Sequence, residues 1–465
     1  MPSGPDGLVP DPRYTREFER ARALVLGHPG RWRVIYHYDA DGIASASSAL
    51  RGLGRLGYPV QATALQGVER SRMADLLART SSCVLVLDTG ASWLDVFARH
   101  PKPVVILDHH RYPGVPDHPP LPEHVTMVNP LDWGVDGMAE LSASTLTWLF
   151  TVFLDPVNWD NAPWGLSGAI GDRQHVGGFH GLNARLLEEA VRRSVLVRRA
   201  GLALFGSTTA GAISMSIDPF FRGLSGRLDE AAEFVRGLGI DPDRSPDGLA
   251  PDEARRLAEA LKGRLAEAKV LPEFASVLDQ DRWFAPAIGL DAEEISNLQN
   301  ATGRVGCPGV GIALALGDPG ALERARTAEA TWRSGILRGL RRIEDNGVNS
   351  MRFLGWFESP DPTLAGTQAG LAMNYLLPPD HPVFVFTESQ GESIKLSARG
   401  TLRQVAAGLD LASVCREAAA EVGGEGGGHP VASGATIPAG RRDSFLAAAD
   451  RILAIQLGPK GGGAS

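Results

Sequence analysis

Three apolar runs, each cut off abruptly by acids or histidines, constrain this chain more than any other feature. Val34-Ile35 leads into Tyr36-His37-Tyr38-Asp39-Ala40-Asp41-Gly42, Cys83 to Leu87 into Asp88-Thr89-Gly90, and Pro103 to Leu107 into Asp108-His109-His110. Continuous apolar runs of four or five residues with polar punctuation are what a parallel strand buried on both faces looks like. Pro59 to Thr63 predicts another strand, and the Ala/Ser-rich run Ile43 to Leu56 a helix packed against the first one. In an open α/β sheet, ligands gather beyond the carboxyl ends of the strands, so the three polar ends are expected to converge.

On a strand, a period of two sets His37, Asp39 and Asp41 on one side. An imidazole and two carboxylates at a buried strand end are costly without a cation. Hard oxygen ligands with an imidazole suit manganese or magnesium better than a thiolate-loving metal. Each cluster also has a plain alternative, since Asp41-Gly42 is a common turn pair and Asp88 could cap a helix. Their repetition within the first 110 residues favours a shared metal site, to which Gly168-Ala169-Ile170-Gly171-Asp172 adds a further carboxylate.

Composition bounds the rest. A chain of 465 residues exceeds one compact core, and 43% apolar with 22% charged residues is ordinary for a globular protein. A net charge of -8 argues against a broadly basic surface but leaves room for a local arginine-lined groove, because only five of the 46 basic residues are lysine. Cys83, Cys307 and Cys415 form no C-x-x-C pair, which points to a reducing, cytoplasmic setting and away from a zinc or disulfide framework. No apolar run approaches the roughly 18 residues of a membrane span. Met1 to Pro12 and Gly461 to Ser465 read as loose arms without a secretory signal.

The order His-x-Asp-x-Asp, Asp-Thr-Gly, Asp-His-His and Gly-Asp resembles the DHH phosphoesterase superfamily. Gly426-Gly427-Gly428-His429, followed by Ala432-Ser433-Gly434, resembles the glycine signature of its DHH-associated C-terminal domain. Asn129-Pro130, Gly137, Glu140 to Ser144, Leu290 to Glu294 and Asn300 to Arg304 are similar to archaeal-type RecJ-like proteins in particular. The resemblance implies two manganese ions, with magnesium as a substitute. His37, Asp39 and Asp88 would hold one, and Asp41, Asp88, His109 and Asp172 the other, with Asp88 bridging. It further implies that Asp108 orients His109, that His110 meets the scissile phosphate, and that Lys395, Arg399, Gly426, Gly427, Gly428 and His429 bind substrate.

The expected fold class is α/β: a parallel-sheet lobe over residues 1–320 with a helical insertion at about 173–320, and a connecting helix at 321–345. A smaller mixed α/β lobe over 346–465 would face the first across a cleft. Strands are predicted at Ser350 to Glu358, Val383 to Thr387 and Ser393 to Ser397, with helices at Gly366 to Leu377 and Ala412 to Val422. His175 and His180 read as surface residues, Arg173 and Arg304 as candidate phosphate contacts by type alone with ordinary surface pairing an equal alternative, and Asn129-Pro130 as a turn.

By the resemblance, the activity is a RecJ-like exonuclease that hydrolyses single-stranded DNA or RNA from an end to mononucleotides. Turnover of short oligonucleotides or cyclic dinucleotides is the alternative within the class. A replication-complex scaffold is the alternative outside it, and a replication or repair protein is an expected partner.

Overall fold

The computed structural model describes residues 12–66, 70–115, 120–387 and 391–458, so nearly all of the amino-terminal arm and all of Gly461 to Ser465 lie outside the described residues. The chain forms two compact units, Met1–Gly201 with Asp279–Trp332, and Leu202–Leu278 with Arg333–Ser465.

The first unit is built on five parallel strands, β1 (Trp32–His37), β2 (Val60–Leu65), β3 (Cys83–Leu87), β4 (Val104–Leu107) and β5 (Val125–Val128), in the order β2-β1-β3-β4-β5. The apolar runs are β1, β3 and β4, and every residue of β4 and β5 is buried, as a strand covered on both faces requires. The connection leaving β1 runs to one side and the next to the other, so the crevice of such a sheet opens beyond β1 and β3. Behind it, the helix Ala40–Arg55 packs on the helices Ala143–Leu154 and Ala162–Gly171, with Gly52 against Thr151. Small side chains let these three helices pack closely, which brings their ends to the same side as the strand ends.

The expected helical insertion is not purely helical, and it does not belong to one lobe. It contains β6 (Val197–Arg199), β7 (Arg282–Ala285) and β8 (Leu290–Asp291), which form a small antiparallel sheet in the first unit. Residues 202–278 belong instead with the C-terminal part of the chain. Within that second unit Arg222 donates to the carbonyls of Tyr375 and Leu376, Arg333 donates to Met215 O at 3.1 Å, and Arg341 to Gly226 O at 3.0 Å. The expected connecting helix is present as Ala321–Asn346 and contributes residues to both units.

The second unit carries six strands, β9 (Asn349–Ser350), β10 (Gly355–Ser359), β11 (Val383–Thr387), β12 (Ser393–Arg399), β13 (Glu425–Gly428) and β14 (Ala432–Pro438), in the order β13-β14-β12-β11-β10-β9. Among the described residues of this unit, only β10 and β11 pair in parallel. The single strand expected over Ser350 to Glu358 is a hairpin, turned where Met351 N donates to Leu354 O at 2.8 Å.

A buried acid sits beside the small sheet of the first unit. Glu293, 7% exposed, lies in the first turn of the helix Ala292–Arg304. Burial foremost, then the charge of Asp291, pushes its carboxyl up to about 8 despite amide contacts that favour the anion. Its folded-state affinity for a proton exceeds the unfolded one, so the chain should lose stability as pH rises from about 4.5 to about 8. Relative to wild type, Glu293→Gln is expected to gain stability across that window, by on the order of 5 kcal/mol, and then to level. Denaturation of both proteins from pH 5 to 9 checks this; a constant difference would contradict it.

Candidate metal centre

His37 ends β1, and the chain turns there into the helix Ala40–Arg55. Asp39 caps that helix by accepting from Gly42 N at 3.2 Å. Asp41 lies in its first turn, fully buried, and its carboxylate accepts from Ala143 N at 2.8 Å and Ser144 N at 3.1 Å. These amides open the helix Ala143–Leu154, so the positive end of its dipole holds the anion in place. Gly168 makes room for this contact, because a Cβ there would collide with Ser144 and the Asp41 carboxylate.

Asp88 follows β3 with φ +57°, a left-handed conformation uncommon outside glycine. Strain of this kind concentrates where a side chain has to be aimed. The carboxylate reaches two histidines: Oδ2 lies 3.5 Å from His37 Nδ1, and Oδ1 lies 3.3 Å from His109 Nε2. His37 Nδ1 is also 2.9 Å from Asp39 Oδ2, while His109 Nε2 is 3.5 Å from Asp172 Oδ2 and 3.8 Å from Asp41 Oδ2. Two sets of donor atoms, His37–Asp39–Asp88 and Asp41–His109–Asp172, therefore each converge to within 4.8 Å. A third overlapping set, Asp88–His109–His110, does so as well.

The donor set fits divalent cations. Asp88 Oδ1, His109 Nε2 and His37 Nδ1 are buried without a hydrogen-bond partner, although oppositely charged atoms lie close by. Atoms so placed converge on a point between them and do not bond to one another. Electrostatics point the same way. Burial opposes charge on His37, but Asp39 and Asp88 outweigh it and raise the imidazole to about 11. His109 is likewise raised, by Asp88, Asp41 and Asp172 against its burial. Burial and then Asp88 raise Asp41 to about 6, burial and then Asp41 raise Asp172, and the two histidines hold Asp88 ionised in spite of its burial. Four carboxylates crowd two imidazoles and draw protons onto them, so the cluster calls for positive charge at its centre, which a hard cation with oxygen and nitrogen ligands would supply in place of those protons.

The ring of His109 is fixed from behind, and here the structure corrects the sequence reading. Asp108 does not hold the His109 ring. Its carboxylate accepts the backbone N–H groups of Ala91, His109 and His110, and the Nδ1 of His110 at 2.8 Å. His109 Nδ1 instead meets Gly137 O at 2.6 Å. That carbonyl also accepts from Gln174 Nε2 at 2.9 Å, Gln174 accepts from Asn183, and Asn183 accepts from Thr145 Oγ1. No sequence signal marked Gln174 or Asn183, since buried amides have no spacing rule. Asn129 forms the expected turn by accepting from Leu131 N, and also donates to His110 O. His180 is exposed as expected and His175 is half-buried. Arg304 donates to the Tyr38 hydroxyl at 2.7 Å and stacks over its ring.

Profiles of two families match the chain: the DHH family N-terminal domain over residues 31–162 and the DHHA1 domain over residues 366–455. The chain carries a DHH family N-terminal domain and a DHHA1 domain. His37, Asp39, Asp41, Asp88 and Asp108 to His110 lie within the first match, Asp172 ten residues beyond it, and Gly426 to Gly434 within the second. An uncharacterized protein of Methanocaldococcus jannaschii is 27% identical to this chain over 441 residues, 93% of this chain and 95% of the relative. The structure of an exonuclease RecJ bound to manganese superposes with a TM-score of 0.59 at 18% identity, covering 96% of each chain. RecJ of Thermus thermophilus in complex with Mn2+ gives 0.57 at 19% identity, and this chain spans 55% of its length. CDC45 of Entamoeba histolytica gives 0.65 at 9% identity, over 95% of this chain and 98% of that one.

The glycines of the DHHA1 domain form an edge strand where the sequence suggested a loop. β13 pairs with β14, which aligns Gly427 with Gly434 and, on the next strand, Ser397. A Cβ at Gly426 would strike the carbonyl of Cys415, so this glycine permits helix packing, whereas Gly427 faces open space. Lys395 and Arg399 share the face of Gly427 by register, and Gly426 and Gly428 do not. His429 is exposed in a tight turn, its N–H donating to Ala432 O at 2.9 Å.

Proposed function

We propose that this DHH protein is a metal-dependent phosphodiesterase that removes mononucleotides from an end of single-stranded DNA or RNA. The observation that carries the reading is the pair of donor sets on either side of Asp88, with Asp88 Oδ1 and His109 Nε2 buried and unpartnered between them. The DHH domain supports hydrolase chemistry on phosphoesters. The likeness to RecJ structures bound to manganese and, in Thermus thermophilus, to magnesium supports the class of ion. Both are hard cations with the same oxygen-rich preference.

His37, Asp39 and Asp88 would hold one cation and Asp41, Asp88, His109 and Asp172 the other. When bound, such a pair activates water and neutralises charge on a phosphodiester. The chain's own groups do the remaining work. Asp88 keeps the two donor sets in register, and the Gly137 carbonyl fixes the His109 ring with Nε2 inward. His110, its side chain 54% exposed, binds Asp108 through Nδ1, which leaves Nε2 for substrate. Burial works against its charge, but Asp108 outweighs it and raises its pKa, which favours the protonated ring, the form that can donate a proton to the leaving oxygen. Lys395 and Arg399 would grip the nucleotide backbone from their shared face.

Removing the support behind His109 should weaken the site without touching a ligand. Gln174→Ala is expected to lower manganese affinity about 10- to 100-fold, as losses behind a ligand do. Calorimetric titration checks this, and unchanged affinity would show that Gly137 alone positions the ring.

Digestion of end-labelled DNA and RNA strands of several lengths, with manganese or magnesium, tests the activity. Stepwise release of mononucleotides from long strands is the expected result. Rapid turnover of dinucleotides with long strands untouched would replace this reading by a short-oligonucleotide phosphodiesterase. The fold of CDC45 supports a replication scaffold as a second reading, and a chain that binds no cation would favour it.

A further inference from the structure

The second unit has a groove of about 450 Å³ that involves neither the DHH motif nor the glycine strand. It lies along the helix Ala321–Asn346 and β9–β10, at the opposite edge of the sheet from β13. Its volume falls in the range of pockets that take one small ligand.

The charges lining it are unequal in their satisfaction. Glu358 pairs with Arg442, and Asp361 accepts from Thr363 N and Oγ1 as the cap of the helix Pro362–Tyr375. Both carboxylates are thus committed. Arg338 and Arg342 are one helical turn apart, both exposed, and neither has an ion-pair or hydrogen-bond partner among the described residues. Two guanidinium forks on one face, with nearby acids already paired, suit phosphate oxygens.

Trp356 and Arg442 form another part of the wall. The Arg442 guanidinium lies over the Trp356 ring at 4.7 Å from its centroid and is pinned by Glu358. A stacked guanidinium and indole accept a planar base, as aromatic and arginine platforms do for unpaired nucleotides. An acidic peptide would use the arginines and leave this wall without a partner.

We infer that the groove between Arg338, Arg342 and the Trp356–Arg442 platform is a binding site for a segment of single-stranded nucleic acid, the base against the platform and the phosphate on the two free arginines. The ligand class rests on the phosphodiesterase reading, and the site adds a grip outside the hydrolytic centre and the glycine strand.

The test uses the full chain in EDTA, so that hydrolysis plays no part. Binding of a fluorescein-labelled 20-nucleotide strand is measured by anisotropy against salt for wild type and for Arg338→Glu/Arg342→Glu. Both arginines are exposed, so the variant should fold, which its melting curve verifies. The expected result is a loss of roughly tenfold or more in affinity and a salt slope lower by about two. Labelled poly-glutamate of equal charge should bind wild type far more weakly than the strand does. Unchanged strand affinity and slope in the variant, or equally tight poly-glutamate binding to wild type, would overturn the site. Because the assay needs no turnover, a chain that binds through these arginines yet hydrolyses nothing would refute the phosphodiesterase reading and leave the groove standing.

Discussion

Asp88→Ala should abolish hydrolysis, with turnover falling by roughly four orders of magnitude, as when a member of a concerted catalytic group is removed. The reason is geometric. Asp88 is the one carboxylate with an oxygen toward each donor set, Oδ2 toward His37 and Oδ1 toward His109, so its loss disables both at once. Any other ligand belongs to one side. The same variant should lose the rise in melting temperature that manganese gives wild type, because binding to the folded state alone stabilises in proportion to the logarithm of occupancy. Turnover within tenfold of wild type, in a variant that melts normally, would remove Asp88 from its bridging role.

Gly303→Ala should be almost as damaging, through the backbone. A Cβ at Gly303 would fall well inside van der Waals contact with the Tyr38 carbonyl oxygen, which lies between the ligands His37 and Asp39. Backbone cannot yield as a long side chain can. Either the end of the helix Ala292–Arg304 retreats or the loop 37–39 shifts. The expected cost is about 3 kcal/mol, the upper range for overpacking, which lowers the melting temperature by roughly 6–10 °C. Since the loop carries two ligands, manganese affinity should fall in parallel. A variant that melts and binds manganese as wild type does would show that the two segments are not in rigid contact.

Gly303 also shows where sequence and structure part company. The polar ends of β1, β3 and β4 were legible because strand burial and its punctuation are local properties. So was the helix Ala321–Asn346, with its arginine-rich face and Asn-Gly stop. β5 was not, since Val125–Val128 is four residues long and follows a proline-rich stretch that looks like loop. β6, β7 and β8, of two to four residues each, fall below any periodicity. The grouping of residues 202–278 with the C-terminal unit depends on side chains such as Arg222 and Arg341 reaching distant carbonyls, which no local pattern encodes. At the site, residue types announced the candidate ligands, but what holds them did not show. The partner of the His109 ring is a backbone carbonyl, and Asp108, its chemically plausible support, holds the His110 ring instead.

Manganese counted per folded chain tests the central claim most directly. Calorimetric titration of the metal-free protein should show two ions bound per wild-type chain and none bound comparably by Asp88→Ala. A wild-type chain that melts cooperatively yet binds no manganese or magnesium below millimolar concentration would contradict the assignment of this cluster as a two-cation centre.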